Sequence, residues 1–302
     1  RHQKKYMKSL LKKIVVTVLT LEARWVLRKY QPKIIAITGS VGKTTTKDYI
    51  YAVLDGSFEV RKTQKSMNSD IGIPLTILGE ANAWYSLSGW LKILYQGALL
   101  VVKETNYPKL LVLEIGADHP GDISSACRWI KPDVSVLTRF PDVPVHVEFF
   151  SGPEEVIAEK RNLVRALKDD GVLVVNHDDP KTRSEITREQ QTKFTFGLEK
   201  GADILADALE YEYGARGEVV GIRFRVTAFG RTIPMRLPGI LGRAQVYSAL
   251  GGIAVGHALG VNFVEVAGRL GNKELTPGRM RILPGTNHST VIDDSYNSSP
   301  VA

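Results

Sequence analysis

Apolar residues along this chain recur with two periods, and the places where the period changes divide it into elements. After Pro32, short aliphatic runs alternate with stretches of helical spacing. Residues 33–38, 110–115, 134–138 and 172–176 are continuous enough in Ile, Leu and Val to be strands covered on both faces. Residues 43–54 and 153–167 repeat their apolar positions every three or four residues and read as helices. This alternation predicts an α/β fold, a mostly parallel sheet with helices on both faces. Ligands of such sheets collect at the carboxyl ends of the strands. From 193 to 238 the period falls to two, with glycine turns, as in the run Val219-Val220-Gly221-Ile222-Arg223-Phe224. That pattern predicts a small antiparallel sheet appended to the main one. Helical spacing returns at 243–259 and 263–270, and a strand pair at 279–283 and 290–293 opens what reads as a further domain.

Two apolar stretches stand apart from this alternation. Residues 7–29 predict a helix with Leu11, Ile14, Val15, Val18, Leu21 and Trp25 on one stripe, while Val16 and Leu19 fall off it. Its uninterrupted apolar run is shorter than the roughly 20 residues that span a bilayer, and no small-residue cleavage site follows it. Residues 84–102 predict a long helix with a buried face, interrupted by Ser86, Ser88, Gly89, Lys92, Gln96 and Gly97. Trp84 and Trp90 leave a membrane-surface role open there, because tryptophan favours interfaces.

The 302 residues hold 40 Lys and Arg against 32 Asp and Glu, a net charge of +8. A basic chain invites a nucleic-acid reading, but the charge is localised. Residues 1–33 carry ten basic side chains and one acid, so the remainder sums to −1. A nucleic-acid groove on the body of the protein is therefore not expected. The basic segment is either a helix packed on its domain with a solvated charged face or one that leans on anionic lipid. With 43% hydrophobic and 24% charged residues the composition is that of an ordinary folded chain. Its single cysteine, Cys127, excludes an intramolecular disulfide framework and a cysteine-rich metal site, and fits a reducing cytoplasm.

One segment carries specific chemistry. In Ile34-Ile35-Ala36-Ile37-Thr38-Gly39-Ser40-Val41-Gly42-Lys43-Thr44-Thr45 a strand runs into a glycine loop that opens a helix. Backbone N–H groups of such a loop, with the positive helix end, form a nest for phosphate oxygens. Gly39, Ser40, Val41, Gly42 and Thr45 are then the cradle, Lys43 reaches the terminal phosphates, and the Thr44 hydroxyl ligates Mg²⁺. The match to the general G-x-x-x-x-G-K-[ST] pattern is imperfect, because Ile37 occupies the first glycine position.

The segment Thr38–Thr45 resembles the nucleotide loop of the Mur ligase family, ATP-dependent amide-forming enzymes of peptidoglycan precursor synthesis. Four further segments resemble that family in its order, most closely the branch that adds D-alanyl-D-alanine. They are Asn68-Ser69-Asp70-Ile71-Gly72-Ile73-Pro74-Leu75; Leu113-Glu114-Ile115-Gly116-Ala117-Asp118-His119-Pro120-Gly121-Asp122-Ile123; His146-Val147-Glu148-Phe149-Phe150 with Ala158-Glu159-Lys160 downstream; and Asp293-Asp294-Ser295-Tyr296-Asn297-Ser298-Ser299-Pro300. The resemblance implies a P-loop-type central domain that phosphorylates a substrate carboxylate with ATP, after which an amine attacks the acyl phosphate. It implies Glu114 as a Mg²⁺ ligand, His146 at a second Mg²⁺ or its water, and Asn68 orienting phosphate or acyl-phosphate oxygens. Lys160 would be the family's carbamylated lysine, Arg279 would contact phosphate, and Asp294 the ribose. Asp118 and His119 either take part or only shape their loop. The partners implied are ATP, a UDP-linked muramoyl peptide and D-alanyl-D-alanine or a similar amine.

There are departures. The family's Gly-x-His-Asn-x-x-Asn helix start, which helps hold adenine, is here Gly242-Arg243-Ala244-Gln245-Val246-Tyr247-Ser248, and only Gln245 supplies an amide. Asp118 replaces the branch's Asn. The expected organisation is a basic helix over 1–31, the ATP-binding central domain over 32–275, and the start of a C-terminal ligase domain over 276–302. The family's UDP-binding domain has no counterpart, which reads as a fragment with little catalysis of its own. The localisation implied is cytoplasmic, with peripheral contact at the inner membrane surface through the first helix. Two other readings stay open: a related ligase adding another amino acid, as in folylpolyglutamate or cyanophycin synthesis, and a non-catalytic ATP-binding module.

Overall fold

The computed structural model describes residues 2–64, 67–140, 147–185, 191–273 and 276–296, with the backbone alone for 2–11 and 288. The chain begins with helix α1, His2–Tyr30, then β1, Lys33–Thr38, and α2, Lys43–Leu54. β2, Val60–Lys62, α3, Gly72–Leu78, and α4, Leu87–Val102, lead to β3, Leu110–Glu114. α5, Asp122–Cys127, β4, Val134–Leu137, α6, Pro153–Arg165, β5, Val172–Asn176, and α7, Pro180–Arg183, follow. Then come β6, Thr192–Gly197, β7, Ile204–Tyr213, β8, Val219–Ala228, and β9, Arg231–Pro238. α8, Arg243–Ala258, α9, Phe263–Gly271, and the hairpin β10, Arg281–Pro284, with β11, Thr290–Asp293, complete it.

Among the described residues nine strands form one sheet in the order β2-β3-β1-β4-β5-β6-β7-β8-β9. It is parallel from β2 to β7 and antiparallel from β7 to β9. The alternating segment that opens at 193 thus begins with a parallel strand, β6, before the antiparallel extension, and the separate antiparallel sheet is the β10–β11 pair. β1 lies between β3 and β4, so successive connections leave it in opposite directions. That reversal opens a crevice at the carboxyl end of β1, where α/β sheets bind their ligands.

Strand alternation supplies two cores. Ile35 and Ile37 of β1 point to the side of α2, α8 and α9, whereas Ile34 and Ala36 point to the side of α1, α3 and α5. Both sets are buried, so β1 reads as a continuous apolar run rather than an alternating one.

α1 does not pack as its sequence pattern predicts. Its core face is Leu19, Ala23 and Val26, against α3 and α4. The expected stripe is split: Val15 packs partly on the core, but Ile14, Leu21 and Trp25 face solvent, with Trp25 52% exposed. Leu19, off the predicted stripe, is fully buried. α4 buries only Ile93 and Gly97, less than its composition predicts. Both results have one cause: the helix is apolar on more than one side, so periodicity alone does not choose which side meets the sheet. Among the described residues no helix is long and apolar enough to cross a membrane.

Candidate active site

The chain leaves the sheet at Thr38 through a tight loop. Gly39 (φ 144°) rests so closely on the end of β4 that a Cβ would overlap Thr138 Oγ1. The Ser40 N–H donates to the Arg139 carbonyl at 2.8 Å, which fastens the loop to the strand beside it. Gly42 is left-handed (φ 87°, ψ −3°) and precedes α2 without a side-chain cap. The first N–H groups of α2 therefore lack side-chain partners and, with the helix dipole, present positive potential to the loop. The buried hydroxyls Thr38 Oγ1 and Ser40 Oγ have no hydrogen-bond partner among the described residues. Such orphans are expected where an oxygen-rich ligand completes the site.

Glu114 ends β3 directly beside Ile37 in the parallel register. It is 2% exposed. Its Oε1 accepts from Thr44 Oγ1 at 3.1 Å, and its N–H donates to Thr63 Oγ1 at 3.1 Å. Oε2 lies 3.5 Å from Lys47 Nζ but accepts no hydrogen bond among the described residues. A buried carboxylate oxygen with spare lone pairs, next to a threonine hydroxyl, is a donor set suited to Mg²⁺, which takes one or two carboxylates and keeps the rest of its sphere for water and phosphate. Among the described residues no group of three His, Cys, Asp or Glu converges.

Lys47 is the residue the sequence reading passed over. It is 1% exposed, one helical turn after Lys43, and stands between Glu114 and Asp48. The i, i+4 spacing from Lys43 was the available signal. Asp48 is in turn held by Lys62 at 2.8 Å and by Thr276 Oγ1 at 2.9 Å. Burial opposes its charge, yet Lys47, Lys62 and Lys273 keep its carboxyl below the usual range. These residues border a cleft of about 680 Å³ that also reaches Thr44 and Thr63.

Lys160, on α6, is 3% exposed. Burial first, and then the charge of Lys43, pull its ammonium down to about 7, against weaker support from Glu159 and Asp118. Burial likewise lowers Lys43, with Glu114 and Asp118 opposing and Arg279 adding to the shift. Lys43 thus feels charges carried by β3, the loop after it, α6 and the segment before β10. Glu159 accepts from the Ser124 N–H at 2.8 Å, which fixes α6 against α5 and so sets where Lys160 points. Asp122 Oδ2 accepts from the N–H groups of Asp118 and His119, holding that loop.

The other sequence-predicted residues are placed as follows. The Asn68 carbonyl accepts from the Gly116 N–H at 3.3 Å, and its side chain packs where a Gly116 Cβ would be, so Asn68 sits beside the end of β3. Arg279 stacks on Tyr296, its guanidinium 4.1 Å from the ring centroid, and its charge is felt at Lys43. Asp294 is exposed and accepts from the Met280 N–H at 3.2 Å, a contact that shapes the turn. Gln245 is buried with its amide engaged at both ends, accepting from Tyr49 at 3.3 Å and donating to the Arg279 carbonyl at 2.9 Å. It therefore ties α8 and α2 to the Arg279 segment rather than lining a free surface. His146 lies outside the described residues.

Residues 37–87 and 92–256 match the model of the Mur ligase middle domain. The chain is 30% identical over 288 residues to the UDP-N-acetylmuramoyl-tripeptide–D-alanyl-D-alanine ligase of Bacillus subtilis, covering 95% of this chain and 54% of that one. It is 25% identical to the Haemophilus influenzae enzyme of the same name, over 92% of this chain and 54% of that one. Among solved structures, the MurF ligase of Thermotoga maritima in complex with ADP superposes with a TM-score of 0.75 at 27% identity, over 95% of this chain and 58% of that one. MurF of Acinetobacter baumannii superposes with a TM-score of 0.76 at 24% identity, over 95% and 56%. The chain spans about half the length of the relatives it matches. With the family model covering most of the sequence, the chain belongs to the Mur ligase family.

Proposed function

We propose that this chain is the ATP-binding centre of a ligase that adds D-alanyl-D-alanine, or a similar amine, to the peptide of a UDP-linked muramoyl substrate. We read its boundaries as a basic helix over 1–31, the central domain over 32–275 and the entry to a C-terminal ligase domain from 276. One juxtaposition carries most weight: the buried Glu114 carboxylate, whose Oε2 is ion-paired with Lys47 but accepts no hydrogen bond among the described residues, meets Thr44 at the first turn of the phosphate-loop helix. In the reaction a carboxylate oxygen of the acceptor takes the γ-phosphoryl group and ADP leaves. The amine then attacks the acyl carbon, and phosphate and a proton are released. Phosphoryl transfer needs positioning and charge neutralisation more than covalent help from the protein.

This chain's groups supply both. Backbone N–H groups of residues 39–45 hold the phosphates, and Lys43 and Arg279 neutralise charge at the transferred group. Thr44 and Glu114 would hold Mg²⁺, which supplies Lewis-acid polarisation of the phosphate oxygens when bound. Asn68, beside the end of β3, would orient the acyl-phosphate oxygens. A lysine held near pH 7 has a free amine in reach of CO₂, and the product, a carbamate with loss of one proton, replaces a cation facing Lys43 by an anion. We therefore assign Lys160 as a carbamylated ligand of a second Mg²⁺, with His146 as its companion. Asp294 remains the candidate for the ribose. The adenine contact assigned to Gln245 acts indirectly in this proposal, through the Arg279 backbone. The whole enzyme would act in the cytoplasm, with the basic α1 directed toward the inner membrane surface.

The test is phosphate release by the full-length product with UDP-muramoyl-tripeptide and D-alanyl-D-alanine. Dependence on both substrates, with loss on Lys43→Ala and on Glu114→Gln, is expected. Turnover that ignores the amine, or survives Lys43→Ala, would overturn the proposal.

A further inference from the structure

The outward surfaces of α1 and α4 form a feature that the ligase chemistry does not use. On α4, Leu87, Leu91, Tyr95, Ala98 and Val102 recur at intervals of three and four residues, so they lie on one stripe. All are exposed, Leu87 by 74% and Val102 by 79%. Just before the helix stand Trp84 and Tyr85, which are also exposed. Their loop is built rather than slack. Trp84 is left-handed (φ 51°), its N–H donates to Asn82 Oδ1 at 2.8 Å, and its carbonyl accepts from Trp90 Nε1 at 3.0 Å. α1 packs against α4 and carries its own outward stripe of Ile14, Leu21 and Trp25.

Charge decides what such a face meets. Residues 80–104 balance two lysines with Glu80 and Glu104, so the positive charge of this face comes from α1, residues 1–33 carrying a net +9. Arg28 lies seven residues beyond Leu21, along the edge of the α1 stripe, and is exposed, whereas Arg24 lines a cleft beside Asn68, Asp70 and Asp122. Lys29 reaches across to the carbonyls of Leu100, Val101 and Lys103 at the end of α4, joining the two helices. A second copy docked here would bring two surfaces of the same positive sign together. An anionic bilayer offers the opposite sign and an interfacial zone in which tryptophan and tyrosine are favoured.

We propose that α1 and α4 together dock the protein on an anionic lipid surface, lying in its plane, with Trp84, Leu91, Tyr95 and Trp25 entering the interface. The proposal deepens the reading of α1 as a membrane-facing element, since it assigns the apolar contact mainly to α4. It is independent of the ligase reading, because lipid binding and ATP turnover are measured separately.

The experiment is co-sedimentation of the chain with vesicles of phosphatidylcholine alone or mixed with about one-third phosphatidylglycerol, at low and high salt. Binding to the anionic vesicles alone is expected, falling at high salt and by about fivefold when one charge is removed in Arg28→Gln. A Leu91→Ser/Tyr95→Ser variant should lose binding at unchanged thermal stability, because both side chains are already exposed. Its companion Trp84→Ala should lose part of the quenching of tryptophan fluorescence by brominated lipid, the remainder coming from Trp25. Absence of binding to anionic vesicles overturns the proposal. Undiminished binding of the Leu91/Tyr95 variant overturns it too, leaving α1 acting alone. A concentration-dependent dimer of the wild-type chain, dissolved by that variant, would show that a second copy covers the face and would also overturn it.

Discussion

Lys47 Nζ and Glu114 Oε2 stand 3.5 Å apart, both closed off from solvent, on elements separated by 67 positions in the chain. In the absence of a bound cation this lysine balances the carboxylate that the nucleotide site requires. A buried charge left alone is far more costly than a buried pair. Lys47→Met should therefore destabilise the fold by about 3–5 kcal/mol, read as a shift in the urea midpoint. Adding Glu114→Gln should recover much of that loss. If the double variant is as unstable as the single one, the pair is not the cause.

Lys160 makes stability depend on pH. Its folded value, about 7, lies below the ordinary 10.5, so between these limits the unfolded chain binds more protons than the folded one. Stability from this group therefore rises as pH increases from about 7 toward 10.5, and its cost is fully present below 7. Lys160→Met should be more stable than wild type at pH 6, with the advantage fading by pH 10, in buffer freed of CO₂. Adding bicarbonate at pH 8 should raise the melting temperature of the wild type but not of Lys160→Met.

Gly39 should tolerate no side chain. Its φ of 144° is strained for any other residue, and a Cβ would overlap Thr138 Oγ1. Gly39→Ala should cost about 2–4 kcal/mol, from backbone strain and overpacking together, and weaken nucleotide binding measured by calorimetry. Thr138→Ala should restore part of the stability, because it removes the overlap but not the strain.

Glu22 is a carboxylate wedged between α1 and Gly97 of α4, with Oε2 unpartnered. Burial pushes its carboxyl up to about 7. The folded chain then holds a proton that the unfolded chain releases near 4.5, so stability falls as pH rises from about 4.5 through 7. Glu22→Gln should raise the melting temperature at pH 8 and change it little at pH 4. An equal effect at both would point to packing instead of charge.

The α/β class, the strand–loop–helix phosphate site and the order of the motifs were legible in the sequence because each depends on neighbours along the chain. A five-residue apolar run makes a buried strand wherever it lies, and Gly42-Lys43-Thr44 opens α2 by local geometry. Where a side chain's role depends on a distant partner, local pattern was silent. Lys47 reads as one more helix lysine until β3 places Glu114 against it. Gln245 reads as a free amide until Tyr49 and the Arg279 carbonyl occupy both its ends. The clearest case is α1, whose apolar residues lie on more than one side. The sequence determined that 7–29 would be an apolar, basic helix. Only the tertiary structure decided that Leu19, Ala23 and Val26 meet the core while Ile14, Leu21 and Trp25 look outward, because burial is allotted by where α3 and α4 leave room, and a period of 3.6 residues does not encode that.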